Sequence, residues 1–243
     1  MKAIEIKNIT KKFKDKTAVN SLSFDVSDGE IFALLGQNGA GKTTLIKMLC
    51  CLTKATEGDA LIYGKSVNGE AAEVKKIINV SPQETAVAPN LTVFENLVFT
   101  AQIYGADSQK AKDISAKMLK AFSLENRKNE KAKNLSGGLS RRLSIAMALI
   151  SEPKLVFLDE PTLGLDVRAR RELWSHILAL KGKTTVVLTT HYLEEAEKIA
   201  DKIAIIEKGN LVSIGTFDEL KKQYGKESLE DIFLSVTEEN YEA

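Results

Sequence analysis

Apolar positions along the chain change rhythm several times, and each change marks an element. Between Ile4 and Val26 apolar and polar residues alternate, most clearly at Leu22, Phe24 and Val26, the period-two pattern of antiparallel strands with one buried face. Asp28-Gly29 is a turn signal, and Ile31 to Leu35 is then apolar throughout, as in a strand covered on both sides. A helical pattern, Leu45 to Leu49, follows. Glu57-Gly58-Asp59 is read as a turn into the strand Ala60 to Tyr63, and Lys76 to Val80 is a strand that stops at Ser81-Pro82-Gln83. From Leu91 the period lengthens to that of a helix. Thr92 and Glu95 make a capping box, and Phe94, Leu97, Val98 and Ala101 share one face. More helix is expected around Ile114, Met118, Leu119 and Phe122, and about 84–152 contains no strand pattern.

Strand patterns then return. Lys154 to Leu158 runs apolar into Asp159-Glu160-Pro161, and Thr185 to Thr190 runs into His191 ahead of a helix with Leu193, Ala196, Ile199 and Ala200. Ile203 to Ile206 and Leu211 to Ile214 read as a hairpin across Glu207-Lys208-Gly209-Asn210. Ser228 caps a final amphipathic helix with Leu229, Ile232, Phe233 and Val236 on one side. Packing of that side on its own domain is favoured over docking to a partner. The pattern predicts an α/β core with an N-terminal antiparallel β subdomain and an inserted α-helical subdomain.

Composition narrows this picture. A chain of 243 residues with 44% hydrophobic content supports a full core. Basic and acidic residues nearly cancel, 34 against 33, so no nucleic-acid or anionic-lipid surface is expected. The longest apolar runs, Ile31 to Leu35 and the stretch Leu143 to Ile150 broken by Ser144, are too short to span a bilayer. Charges at Lys2 and Glu5 interrupt the place where a signal peptide needs its apolar region, so a cytosolic chain is expected. Cys50 and Cys51 are adjacent in the helix region after the first apolar strand and read as core thiols.

Candidate chemistry clusters where strands end. Gly36-Gln37-Asn38-Gly39-Ala40-Gly41-Lys42-Thr43-Thr44 has the glycine spacing that lets backbone N–H groups turn inward on a polyphosphate, with a helix N-terminus behind it. Lys42 is placed to reach the β- and γ-phosphates and Thr43 to meet a Mg²⁺ ion. Asp159 suits Mg²⁺ through water, and Glu160 suits a general base. Gln83 and His191 also stand at strand ends, where open α/β sheets place ligand groups. Ser136-Gly137-Gly138 opens a helix and reads equally as an N-cap or as a second phosphate-binding feature. Phe13 lies among Lys11, Lys12 and Lys14 on an expected loop, open to stacking on a base or to covering the sheet edge. His176, mid-helix with Trp174, reads as structural.

Together and in this order these residues resemble the nucleotide-binding subunits of ABC transporters, over the chain to about Gly225. The resemblance implies a P-loop NTPase (RecA-like) core, with ATP and Mg²⁺ as cofactors. It makes Phe13 the adenine-stacking aromatic, Gly36 to Thr44 the Walker A loop, and Gln83, whose amide at a strand end can bind a metal ion or orient a water, the Q-loop glutamine. It makes Ser136 to Gly138 the signature, Asp159 and Glu160 the Walker B pair, Asp166 the D-loop aspartate and His191 the switch histidine. Leu139 stands where the family usually has glutamine. Arg141-Arg142-Leu143, Pro161 to Asp166, His191 to Ala196 and the tail from Leu229 resemble the drug, antibiotic and polysaccharide export class. On this resemblance 1–225 is an ABC-type domain, 84–152 its helical part and 226–243 a helical tail. ATP is expected between two subunits, as in a homodimer, docked on a separate transmembrane permease at the cytoplasmic side of the membrane. Relatives of the family that act in DNA repair or on ribosomes are the alternative; a P-loop kinase would leave Ser136 and His191 without a role.

Overall fold

In the computed structural model, residues 1–14 and 16–238 are described. β1 (Lys2–Phe13) and β2 (Lys16–Ser27) pair antiparallel, and the turn at Asp28-Gly29 leads to β3 (Ile31–Leu35), buried at every residue. α1 (Lys42–Leu49) follows, and then β4 (Glu57–Ile62), β5 (Lys65–Ser66), α2 (Ala71–Lys75) and β6 (Ile78–Ser81). Three longer helices come next: α3 (Val93–Ile103), α4 (Ser108–Ala121) and α5 (Gly137–Leu149). β7 (Leu155–Asp159), α6 (Val167–Leu178), β8 (Thr185–Thr190), α7 (Leu193–Ile199), β9 (Lys202–Glu207), β10 (Asn210–Gly215), α8 (Phe217–Tyr224) and α9 (Leu229–Glu238) complete the order.

Two sheets form. The N-terminal one is antiparallel in the order β2-β1-β4-β5, and the central one runs β10-β9-β3-β8-β7-β6. In the central sheet β9, β3, β8, β7 and β6 are parallel, with β10 closing one edge as an antiparallel hairpin partner of β9. Successive residues of its strands face opposite sides, and both sides are apolar. Ile31, Ala33 and Leu35 join the core under the helices, whereas Phe32 and Leu34 join the core beneath the N-terminal sheet. This double burial is why these strands read as continuous apolar runs. Phe24 of β2 stacks on Phe32 of β3 at 5.3 Å, fastening one sheet over the other.

The structure departs from the pattern reading in several places. Glu57-Gly58 belongs to β4, not to a turn; Gly58 has φ +70° beside an irregularity in the β1–β4 register, and a Cβ there would lie 2.1 Å from the Asn8 carbonyl. The glycine therefore marks a bulge where two backbones touch. Phe13 is the last residue of β1, paired with Lys16, not a loop residue. Cys50 and Cys51 follow the last residue of α1, and Cys51 is only half-buried. The capping box of α3 forms as expected. On α9, Leu229, Ile232 and Val236 are buried in the core under the helices; residues 239–243 of the expected tail lie outside the described residues.

Candidate functional site

Because five strands run parallel, their C-terminal ends share one edge of the sheet. β3 delivers the glycine loop there, β6 delivers Gln83, β7 delivers Asp159 and Glu160, and β8 delivers His191. A cleft of about 490 Å³ opens on that edge, lined by Phe13, Asn38 to Thr44, Gln83, Glu160 and His191, with Lys16, Ala18 and Leu163. The loop is wedged from behind. A Cβ on Gly36 would lie 2.3 Å from the Ile206 carbonyl, and one on Gly41, at φ +108°, 2.3 Å from the Ala18 carbonyl. Gly209, in the β9–β10 turn, donates to the Ala40 carbonyl at 2.9 Å. Only glycine allows both close approaches.

Lys42 begins α1 and is 6% exposed. Its Nζ donates to the carbonyls of Gly36 at 2.7 Å and Gln37 at 3.1 Å. Burial lowers its pKa, opposed by the charges of Glu160 and Asp159, so an anion in the cleft has a poorly solvated cation to meet. Phe13 is exposed at the cleft rim, with the Lys11 ammonium 5.0 Å from its ring centre.

The Asp159 carboxylate and the Glu160 main chain are held by one residue that the sequence reading passed over. Thr189 Oγ1 donates to Asp159 Oδ1 at 2.5 Å and accepts from the Glu160 N–H at 3.0 Å, while the Thr189 carbonyl accepts from the same N–H at 3.1 Å. Glu160 has φ +47°, a left-handed conformation that costs a non-glycine residue about 1–3 kcal/mol. The turn aims its half-buried carboxylate at His191, whose Nδ1 lies 2.5 Å from Glu160 Oε2. Threonines inside an apolar strand were the available signal for Thr189. Arg141 was also missed as a contributor: it is 4% exposed and donates to the Asp159 carbonyl at 2.6 Å.

Ser136 and Asp166 are elsewhere. They line a second cleft of about 420 Å³ with Leu139, Arg142 and Ala169, sharing no residue with the first. Ser136 caps α5 by accepting from the Leu139 N–H at 3.4 Å, and Asp166 caps α6 by accepting from Ala169 N–H at 2.9 Å. Gly138 lets these helices meet, since a Cβ there would lie 2.9 Å from Ala169 Cβ. His176 packs on Phe122, ring centres 5.3 Å apart, away from both clefts.

Residues 19–163 match the family model described as ABC transporter. The chain belongs to the ABC transporter family. Within it, this is an ATP-binding ATPase domain, and its curated relatives include export proteins. It is 41% identical over 214 residues to the Nod factor export ATP-binding protein I of Burkholderia orbicola, covering 87% of this chain and 70% of that one. With the daunorubicin/doxorubicin resistance ATP-binding protein DrrA of Streptomyces peucetius it shares 39% over 229 residues, 94% of this chain and 69% of that one. It is 41% identical over 226 residues to the phospholipid-transporting ATPase ABCA3 of Mus musculus, but these are 91% of this chain and only 13% of that ABC protein. Among solved structures, an ATP-binding subunit of an ABC transporter superposes with a TM-score of 0.84 at 29% identity, over 96% of this chain and 99% of that one. An ATP-binding cassette solved as a dimer in a post-hydrolysis state with ADP and Pi gives 0.78 at 27%, over 88% and 98%. Among the described residues no helix is long and apolar enough to cross a membrane.

Proposed function

We propose that this ABC domain binds ATP with Mg²⁺, hydrolyses it between two copies of the chain, and drives export through a transmembrane permease on a separate chain. The observation that carries the reading is the convergence of the glycine loop, Gln83, Glu160 and His191 on one cleft. Phe13 and Lys16 flank its rim, where the ring offers a face to adenine. Backbone N–H groups of the loop and first turn of α1, with Lys42, meet the phosphates. Thr43, Gln83 and Asp159 offer an all-oxygen donor set. No group of three or more His, Cys, Asp or Glu side chains that could hold a metal gathers among the described residues, which suits an ion that keeps waters and phosphate oxygens as ligands. When bound, Mg²⁺ supplies neutralisation of charge on the β- and γ-phosphate oxygens.

Engaging Oε2 with His191 fixes the rotation of the Glu160 carboxylate and leaves Oε1 to take a proton from water. The second cleft supports the dimer: a nucleotide on the glycine loop is not also served by Ser136 of its own chain, so the Ser136 helix end is available to the other copy's ATP. Contacts to phosphate from Ser136 and Gly138 do not depend on the side chain at 139, so Leu139 is compatible with function. Exposed Phe99 and Ile103 of α3, with Tyr104 just past its end, form an apolar ledge, and the Tyr104 hydroxyl donates at 3.1 Å to Asn79 on β6, the strand that leads to Gln83. This ledge is the proposed permease contact. Export as the direction is carried over from the Nod factor export relative, and the cytoplasmic face of the membrane is where this reading places the domain.

Glu160→Gln tests the chemistry. Hydrolysis should fall by about 10²–10⁴, the worth of a positioned base, with ATP affinity kept within a few fold. The variant should elute as a dimer with ATP and a monomer with ADP. A wild-type rate in Glu160→Gln would move the base elsewhere, to His191 first.

A further inference from the structure

Arg141 is a buried cation, and among the described residues no carboxylate lies within ion-pair distance of it. Its guanidinium donates instead to main-chain carbonyls: Nε to Pro161 at 2.9 Å, Nη2 to Asp159 at 2.6 Å, and Nη1 to Pro82 and, at 3.3 Å, to Gln83. Burial lowers its pKa to about 10, with the charges of Asp159 and Glu195 acting the other way, so it stays protonated at neutral pH. A desolvated guanidinium is retained in such a place only when its donors are satisfied, and here they are satisfied by two separate segments of the catalytic edge.

The pattern of those bonds is specific. Asp159 and Pro161 flank Glu160, whose own N–H is held by Thr189. The left-handed turn at Glu160 is therefore fixed on both sides and in the middle. The remaining donor grips the loop that carries Gln83. All of this hangs from α5, the helix that begins at Ser136 in the second cleft.

We propose that Arg141 is a positioning residue: its fork holds the strained Glu160 turn and the Gln83 loop in one frame tied to α5. Glu160 keeps its aim only while α5 sits where the fork can reach both segments. A shift of α5, such as engagement of Ser136 by a second subunit's nucleotide, then moves the base and the Gln83 loop together. The inference rests on the reading of Glu160 as the base, and lysine cannot replace the fork because one ammonium cannot span the four carbonyls.

The test is Arg141→Lys in the full chain, which keeps the charge and the apolar stem. We expect kcat to fall about 10²-fold, the cost of misplacing a reacting group by roughly an ångström, while KM for ATP and equilibrium ATP affinity stay within about threefold. Hydrogen exchange should rise together at the amides of 83–85 and 160–163 and stay unchanged in the glycine loop. A purely structural role predicts the opposite split, with affinity, kcat and exchange across the domain altered in step. That result, or a wild-type kcat in Arg141→Lys, would overturn the proposal. A wild-type chain that fails to hydrolyse ATP would sink the proposed function, not this clamp, because the paired rise in exchange reads the clamp without turnover.

Discussion

Glu195 shows what a single buried carboxylate does to this fold. It is fully buried, and its Oε1 accepts from Trp174 Nε1 at 3.1 Å. Burial raises its pKa, against the hydrogen bond from Trp174 and the charge of Arg170. A carboxyl whose folded pKa lies above its unfolded one costs nothing below the unfolded value, near 4.3, and subtracts stability as pH rises through the folded value. Glu195→Gln keeps an acceptor for Trp174 and removes the charge. It should melt higher than wild type at pH 8 and converge with it near pH 4 in thermal scans; a lower melting temperature at pH 8 would mean that Arg170 uses the charge. At this scale the sequence was legible where chemistry dictates residue type, as in the glycine loop, Asp159-Glu160 and His191. It was not legible for Arg141. A basic residue in the second turn of a helix reads as solvent-facing, and only the tertiary contact with two strand-end segments buries it.

Among the elements, α9 was the one whose use the pattern left between two readings. Leu229 and Ile232 are fully buried against the rest of the domain, and the helix touches α7 and α8. Ile232→Ala should therefore cost about 2–5 kcal/mol in urea unfolding. An unchanged midpoint would return this helix to partner docking. Strands and hairpins were legible because period-two alternation and the Lys208-Gly209 turn are local signals. The turn assigned to Glu57-Gly58 failed because β4 is defined by its pairing with β1, some fifty residues away in the chain, and a glycine bulge carries the same local signal as a turn. Phe13 failed for a related reason: flanking lysines suggest a loop, but the last residues of β1 run on beyond its pairing with β4, held by β2 alone, where a strand tolerates charge on its solvent side.

Across the whole molecule, strand order does the assembling. Segments far apart in sequence reach one cleft because the ends of β3, β6, β7 and β8 are parallel neighbours along one edge, something motif order alone does not state. The apolar ledge on α3 was hidden in the same way, since Phe99 and Ile103 look like ordinary helix residues until their exposure is seen. Phe99→Ser with Ile103→Ser should leave hydrolysis in solution within about twofold but abolish co-sedimentation with membranes containing the permease. Retained co-sedimentation would place the contact elsewhere. The wedge behind the glycine loop has a consequence in time. Ile206 and Gly209 are made by the ribosome after every motif residue from Phe13 to His191, so a nascent chain carries the complete set of ligand-binding side chains before it has the hairpin that shapes their loop. Nucleotide capture should thus begin only as the last strands emerge, and a chain halted after Ala200 should fail to retain ATP in a filter assay. Retention equal to that of the whole chain would show that the loop closes without its backing.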